Sequence, residues 1–377
     1  MKKIMLLAGE PSGDLHGSNL ASELKKASSQ VELLGTGGEK MKHAGVKLFF
    51  DLKDLAMTGF LDVIKNYSRL KNIQSTLLSK IKEENINLII LIDYPGFNLR
   101  FAQRAQKEGV PIIYYISPQV WAWRKHRIKL IKKYVKKIIV IFKFEETLYK
   151  NAGVPVEFVG HPLLDIVKSD ITKENFLKGL RLEAHDKIIA LLPGSRKRLV
   201  KTLLPIMLKS SKLIYKKFPK ARFLISKPSS IDMEVYEKIL KGSDLPITII
   251  ESKTYEIINS SDLVLVVSGT STLETAILGK PMVIVFKLAL LEYIVGRPLL
   301  RVKNIGLVNI VAGREVVPEL IQFKVRPSKI AQIAIDILSN PSRYESMKKE
   351  IASVKNRLYP DGASRKAALA VLKFLQT

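Results

Sequence analysis

The chain has 377 residues, 47% of them hydrophobic and 26% charged, with no tract dominated by Pro, Gly or Ser, which excludes a disordered or fibrous protein and leaves room for two cores. It has no cysteine, so disulfides, thiolate metal sites and cysteine nucleophiles are excluded, and a reducing compartment, the cytoplasm, is the expected location. Lys and Arg number 62 against 35 Asp and Glu, and the net charge of +27 sets up a field that draws polyanions: nucleic acid, nucleotides or an anionic leaflet.

The first segment, Met1 to Gly9, carries two lysines and then only five apolar residues before Gly9, too short an apolar stretch for a signal peptide, and reads as a first strand. No run approaches the roughly 18 apolar residues needed to cross a bilayer, since Met282 to Val295 is broken by Lys287 and Glu292. From there, short apolar strands alternate with turns and helical periods, the pattern of an α/β protein with parallel sheets. The expected strands are Lys3 to Ala8, Glu32 to Leu34, Leu88 to Ile92, Ile112 to Tyr115, Ile138 to Ile141 and Glu157 to Val159. A second series runs Ile188 to Leu192, Arg222 to Ile225, Ile247 to Ile250, Leu263 to Val267 and Met282 to Val285. The restart after Gly160-His161-Pro162 predicts two Rossmann-like domains, 1–165 and 166–345, facing across a cleft, with a helical segment 346–377 that packs back on the first domain or on a partner subunit. In open parallel sheets the loops after the strands border the ligand crevice, so chemistry is expected there.

The first strand runs into Ala8-Gly9-Glu10-Pro11-Ser12-Gly13-Asp14-Leu15-His16-Gly17, a glycine-bearing turn opening a helix, where a ligand can approach the backbone and free amides favour anions or hydroxyls. It lacks the G-x-G-x-x-G order of a dinucleotide site. An ordinary strand-to-helix turn with a cap accounts for part of the motif, but not for Glu10, Asp14 and His16 together. Asp93 follows Leu88 to Ile92 and opens Asp93-Tyr94-Pro95-Gly96-Phe97-Asn98, which puts a carboxylate at the crevice end of a central strand. It can serve as a general base, or close its own turn by bonding local amides.

In the second half, Leu192-Pro193-Gly194-Ser195-Arg196 follows a strand with a fixed cation whose planar fork suits a diphosphate. Ser268-Gly269-Thr270-Ser271-Thr272-Leu273-Glu274 follows another strand with hydroxyls and amides for an anion and a glutamate suited to a ribose. Plain capping explains the hydroxyls, and the helix dipole explains the glutamate, when each is taken alone. Metal chemistry has no support: there is no Asp-x-Asp pair, no thiol, and no histidine pair at helix spacing. Arg124 to Lys137 holds eight Lys or Arg around Ile128, Ile131 and Val135, a basic amphipathic helix, and Met57 to Leu70 is a second candidate for resting on lipid. Both also fit as core helices.

Taken in order, these motifs resemble lipid A disaccharide synthase, a family of GT-B fold glycosyltransferases. To them are added Ser117-Pro118-Gln119-Val120-Trp121-Ala122-Trp123-Arg124, Phe158-Val159-Gly160-His161-Pro162 and Asn309 to Glu319. The resemblance spans essentially the whole chain. It implies inverting transfer of 2,3-diacylglucosamine from UDP-2,3-diacylglucosamine to the 6-hydroxyl of 2,3-diacylglucosamine 1-phosphate, without metal or cofactor. Asp93 is then the base. Gly194, Ser195, Arg196, Gly269, Thr270, Ser271, Thr272, Glu274, Asn309 and Glu315 are donor-side residues, and Gly9, Glu10, Ser12, Gly13, Asp14, His16 and Asn98 lie on the acceptor side. The implied setting is the cytoplasmic face of the inner membrane, with the first domain against its anionic surface. A homodimer is compatible with it, and nucleic acid is not an expected partner. Two departures stand out: Leu199 replaces a glutamate of the family pattern, and Gly96 replaces an acidic residue, which leaves Asp93 the sole carboxylate of its loop.

Two rival readings stay open at this level. One is a UDP-sugar epimerase or another lipid-linked aminosugar transferase with the same architecture. The other is a non-catalytic basic binder of nucleic acid or membrane, which predicts salt-sensitive binding with no dependence on Asp93.

Overall fold

A computed structural model describes the chain except residues 56–66, 123–124, 184, 290–292, 294–302 and 377. Most of the expected lipid-facing helix Met57 to Leu70 therefore lies outside the described residues, as do Trp123 and Arg124. The chain divides into two compact units, the first built from 1–164 with 358–377 and the second from 165–357. The expected third segment, 346–377, is accordingly split. Pro341–Arg357 belongs to the second unit, and only the final helix Ala363–Gln376 joins the first, packing on the helix Pro11–Ala27.

The first unit holds β1 (Lys2–Leu7), β2 (Val31–Gly37), β3 (Lys47–Asp51), β4 (Leu88–Ile92), β5 (Ile112–Tyr115), β6 (Lys137–Val140) and β7 (Val156–Phe158), in the order β3-β2-β1-β4-β5-β6-β7. The second holds β8 (Lys187–Leu192), β9 (Ala221–Lys227), β10 (Ile247–Glu251), β11 (Leu263–Val267), β12 (Met282–Phe286) and β13 (Glu319–Ile321), in the order β10-β9-β8-β11-β12-β13. Every pairing is parallel. The central strands β4 and β11 are buried along their whole length, which is why they read as unbroken apolar runs: a parallel sheet covered on both faces offers no polar side.

The strands β3 and β13 were not expected. Both are sheet edges, only partly buried, and their mixed sequences KLFFD and ELI lack the apolar run that marks a central strand. The basic helix is shorter than its pattern, Arg127–Tyr134, because Val135 turns extended and Lys137 pairs with Ile113 in the sheet. Its apolar residues Ile128 and Ile131 are core.

In each unit the strand order reverses beside the first strand, between β1 and β4 and between β8 and β11. Adjacent crossovers leave in opposite directions there and open a crevice at the carboxyl ends. The chain returns to the first unit beside Gly160, whose φ of +91° and close approach to the Pro360 carbonyl (1.8 Å from a Cβ built there) admit no side chain. The His161 amide donates to the Leu358 carbonyl at 2.9 Å, which fastens the returning strand of chain to the outgoing one.

Candidate functional site

In the first unit the reversal brings together the loops after β1 and β4. Gly9 is buried directly beneath the Tyr94 ring: a Cβ there would lie 2.1 Å from Tyr94 Cδ1, so only glycine lets the two loops meet. Gly13 is less crowded, with Ala8 Cβ at 3.3 Å from its Cβ position. Glu10 and Ser12 are exposed at the start of the helix Pro11–Ala27.

Asp93 and Tyr94 both adopt left-handed backbone, φ +44° and +46°, which is strained for residues with side chains and is held here by surrounding bonds. The Asp93 carbonyl accepts from Asn98 Nδ2 at 2.7 Å and from the Tyr114 hydroxyl at 2.6 Å, and Tyr94 donates its hydroxyl to the Leu55 carbonyl at 3.0 Å. The carboxyl of Asp93 is half-buried. Burial foremost, and then the negative charge of Glu10, raise its pKa to about 6, against a hydrogen bond from the Tyr94 amide that favours the charged form. This is a carboxylate poised between its two protonation states near neutral pH, as a general base requires.

Three residues of the expected acceptor side are buried, and His16 Nδ1 and Asn98 Oδ1 have no hydrogen-bond partner among the described residues. Asp14 is buried, and its carboxylate accepts from the amides of Gly38 (2.7 Å), Met41 (3.0 Å) and Lys40 (3.3 Å), which supplies the partners that the helix Glu39–His43 lacks at its start. Asn98 is buried, and its Nδ2 spans the carbonyls of Leu7, Ile92 and Asp93, binding the ends of β1 and β4 to each other. His16 is buried, and burial, helped by the charge of Lys40, lowers its pKa to about 4, so it is a neutral imidazole at physiological pH.

Sequence reasoning missed Glu145. It stands in the first turn of the helix Lys143–Asn151, where a glutamate passes for a dipole-stabilising surface residue. It is in fact buried, and burial raises its pKa to about 8 while the Trp121 indole donates to it at 3.1 Å. A buried tyrosine pair lies beside it, with the Tyr149 hydroxyl 2.7 Å from Ser117 Oγ and Tyr114 bonded to the Asp93 loop. Nothing local in the sequence signals this burial.

In the second unit the loops after β8 and β11 have a different character. Gly194 has φ +107°, and a Cβ there would meet Val267 Cγ1 at 3.2 Å and Leu199 Cδ1 at 3.3 Å. Leu199 thus packs against the turn as apolar filling. Ser195 and Arg196 are exposed, and Arg196 caps the start of the helix Lys197–Lys217 with its side chain outside the helix. After β11, Gly269 and Thr270 are exposed and Ser271 is half-buried. Thr272 is fully buried, its hydroxyl donating to the Gly269 carbonyl at 2.8 Å, so it shapes the loop rather than facing solvent. Glu274 receives the Tyr255 hydroxyl at 3.3 Å, and burial raises its pKa against the bonds from Ser271 and Tyr255.

Asn309 is fully buried with all four of its bonds satisfied internally: Nδ2 to the Val317 carbonyl and to Glu319 Oε1, and Oδ1 from the amides of Val316 and Val317. These bonds make it a brace between the helix Leu307–Ala312 and β13. Glu315 is exposed on a hollow of about 470 Å³ shared with Arg343 and Glu350, whose lining includes no residue of the loops after β8 and β11. Among the described residues no group of three or more His, Asp or Glu could hold a metal ion, and no helix is long and apolar enough to cross a membrane.

The architecture is shared with solved structures at low identity. The UDP-GlcNAc 2-epimerase of Neisseria meningitidis bound to UDP-GlcNAc superposes with a TM-score of 0.69 at 15% identity, over 99% of this chain and all of that one. S. aureus MnaA solved with UDP gives 0.69 at 15%, over 100% and 97%. These likenesses show the fold alone. Sequence similarity reaches further: the chain is 40% identical over 376 residues to the lipid-A-disaccharide synthase of Syntrophus aciditrophicus, covering 100% of this chain and 98% of the relative. It is 39% identical over 374 residues to that of Geobacter metallireducens, covering 99% and 97%. The family model described as lipid-A-disaccharide synthetase matches residues 4–374. With the family's motifs at the strand ends of both sheets and its model matched almost end to end, the chain belongs to the lipid-A-disaccharide synthase family of glycosyltransferases.

Proposed function

We propose that the chain transfers 2,3-diacylglucosamine from UDP-2,3-diacylglucosamine to the 6-hydroxyl of 2,3-diacylglucosamine 1-phosphate, with inversion at the anomeric carbon. Asp93 accepts the proton of the acceptor hydroxyl, the oxygen bonds to the anomeric carbon from the face opposite the diphosphate, and the bond to the diphosphate breaks to release UDP. The single observation that carries this is the state of Asp93: half-buried at the switch point of the first sheet, its pKa raised to about 6, on a loop held open in left-handed backbone. A base so placed takes a proton late, as the hydroxyl becomes acidic in the transition state.

On the second unit, Arg196 and the exposed amides of the 194–195 and 269–270 turns meet the charge that develops on the leaving diphosphate, and Glu274, with its raised pKa and half-buried carboxyl, suits a ribose hydroxyl. Protein donors stabilise that charge, so no metal is required. The net charge of +27 favours a peripheral seat on an anionic membrane, where both lipid substrates reside.

Mass spectrometry of the products tests the reading: purified protein is mixed with both substrates, with and without EDTA. Disaccharide 1-phosphate and UDP in both samples are the expected result. Intact acceptor beside hydrolysed or epimerised donor, from folded and lipid-dispersed protein, overturns the reading, and product lost only with EDTA overturns metal independence.

A further inference from the structure

The first unit carries a second cavity that the proposed chemistry leaves unused, a groove of about 380 Å³ between the helices Tyr67–Glu83 and Pro95–Ala105. The second of these helices begins two residues after Asp93. Because the strands are parallel, both helices start at the carboxyl edge of the sheet and run away from it, so the groove begins at the edge where Asp93 stands.

Its floor is apolar, formed by Leu70 and Phe97, and its mouth is open at Gly96, where nothing lies within 4 Å of a Cβ position. Among the described residues, the charged side chains lining it are Lys71, Arg100 and Arg104, with no Asp or Glu. Arg104 is a built element rather than a loose surface chain. Its guanidinium bonds Gln74 Oε1 at 3.1 Å, Ser75 Oγ at 2.9 Å and the Lys71 carbonyl at 3.4 Å, while Gln74, itself buried, donates to the Phe97 carbonyl at 3.2 Å and locks the two helices together. All of these partners are neutral. The guanidinium is therefore fixed in place, and among the described residues neither it nor Lys71 has a carboxylate partner.

We infer that this groove holds the phosphate monoester of the acceptor sugar, with Arg104 and Lys71 as its ligands. The inference rests on the reading of Asp93 as the base. In an α-hexosamine 1-phosphate the carbons bearing the phosphate and the 6-hydroxymethyl group flank the ring oxygen and carry them on opposite faces, so an acceptor whose hydroxyl meets Asp93 places its phosphate off that carboxyl, towards cations on a neighbouring surface. Gly96, Arg100 and Arg104 follow at one-turn steps of about 6 Å along the helix that leads away from Asp93. A lining whose described charged residues are all cationic suits a dianion.

The test compares wild type with Lys71→Gln, Arg104→Met and the double variant, with the exposed Lys107→Gln as a control for loss of one positive charge. For 2,3-diacylglucosamine 1-phosphate, the double variant should raise KM at least about tenfold with kcat within about twofold, while KM for the same acceptor lacking its phosphate stays at the wild-type value. An unchanged KM for the phosphorylated acceptor, or equal losses for both acceptors, overturns the inference. If Arg104→Met does not fold, Lys71→Gln alone must show the same split at a smaller size, or the inference fails. Sedimentation with phosphatidylglycerol vesicles separates the two sources of phosphate. Vesicle binding lost in the variants while the KM for the phosphorylated acceptor holds would make the groove a lipid-headgroup site and overturn the acceptor assignment. Binding of glucosamine 1-phosphate followed by ³¹P NMR is independent of turnover. It should weaken at least about tenfold in the double variant even if the transfer reaction proves otherwise, and equal binding would overturn the inference on its own.

Discussion

At the ends of β1 and β4 the first unit gathers buried or half-buried titratable groups, namely Asp93, His16 and, beneath them, Tyr114. At the equivalent ends of β8 and β11 the second unit exposes Arg196, Ser195 and the backbone of Gly269 and Thr270. Topology is the same in both places, so the difference lies in what the neighbouring chain does to each loop. Burial withdraws water from Asp93, whose charged form then becomes costly and whose pKa rises to about 6. In the second crevice Arg196 is exposed among the described residues, with its charge available to an anion. One switch point holds a desolvated carboxyl and the other an exposed cation, and both arise from a glycine-bearing turn after a parallel strand.

The largest effect expected from this contrast is that of Asp93→Asn, which keeps the shape of the loop and removes the base. Turnover at saturating substrates should fall by about 10²–10⁴. Because the base acts when deprotonated, the wild-type rate should rise with pH through about 6 and level off above it. An Asp93→Asn enzyme with wild-type turnover would end the comparison at once. Asn309→Ala probes a residue that the fold has claimed for itself: loss of its bonds to Val316, Val317 and Glu319 should lower stability by about 2–4 kcal/mol, read from the urea midpoint, with KM for the donor unchanged in the folded fraction. Wild-type stability with weakened UDP binding would instead return Asn309 to the ligand.

Arg196→Met should weaken UDP by about 10–100-fold, measured by calorimetry, and should leave the pH inflection of the rate where it is, since its charge acts in the second unit. A shifted inflection would mean that the two sites are electrostatically one. The smallest effect belongs to Glu10→Gln. The negative charge of Glu10 is the second cause of the raised pKa of Asp93, so removing it should move the rate inflection below 6 by under about one unit, with the maximal rate preserved.

Much of the architecture was legible because parallel strands buried on both faces leave an apolar run and a glycine-bearing turn at each crevice. Leu88–Ile92 and Leu263–Val267 were expected with the bounds they have. The edge strands Lys47–Asp51 and Glu319–Ile321 were not, since an edge is half solvated and needs no such run. The polar residues of the motifs were harder to sort. Asp14 is a candidate ligand residue because it stands in a glycine-bearing turn, and Asn309 only because the family resemblance implies it. What claims Asp14 is the backbone of 38–41, and what claims Asn309 is the backbone of 316–317. Glu145 fails in the opposite direction, for its helix-start position looks solvated and is not.

The sequence by itself determined the class of fold, the two parallel series and the positions of the crevice loops, because these follow from periodicity and turn chemistry, which act over a few residues. It also determined family membership, through the order of motifs along the chain. Only the tertiary structure decided which polar groups lose their water. Desolvation depends on segments tens of residues away, such as Tyr94 over Gly9 or the 38–41 backbone around Asp14, and it is desolvation that raises the pKa of Asp93, lowers that of His16 and leaves Arg196 free to meet an anion.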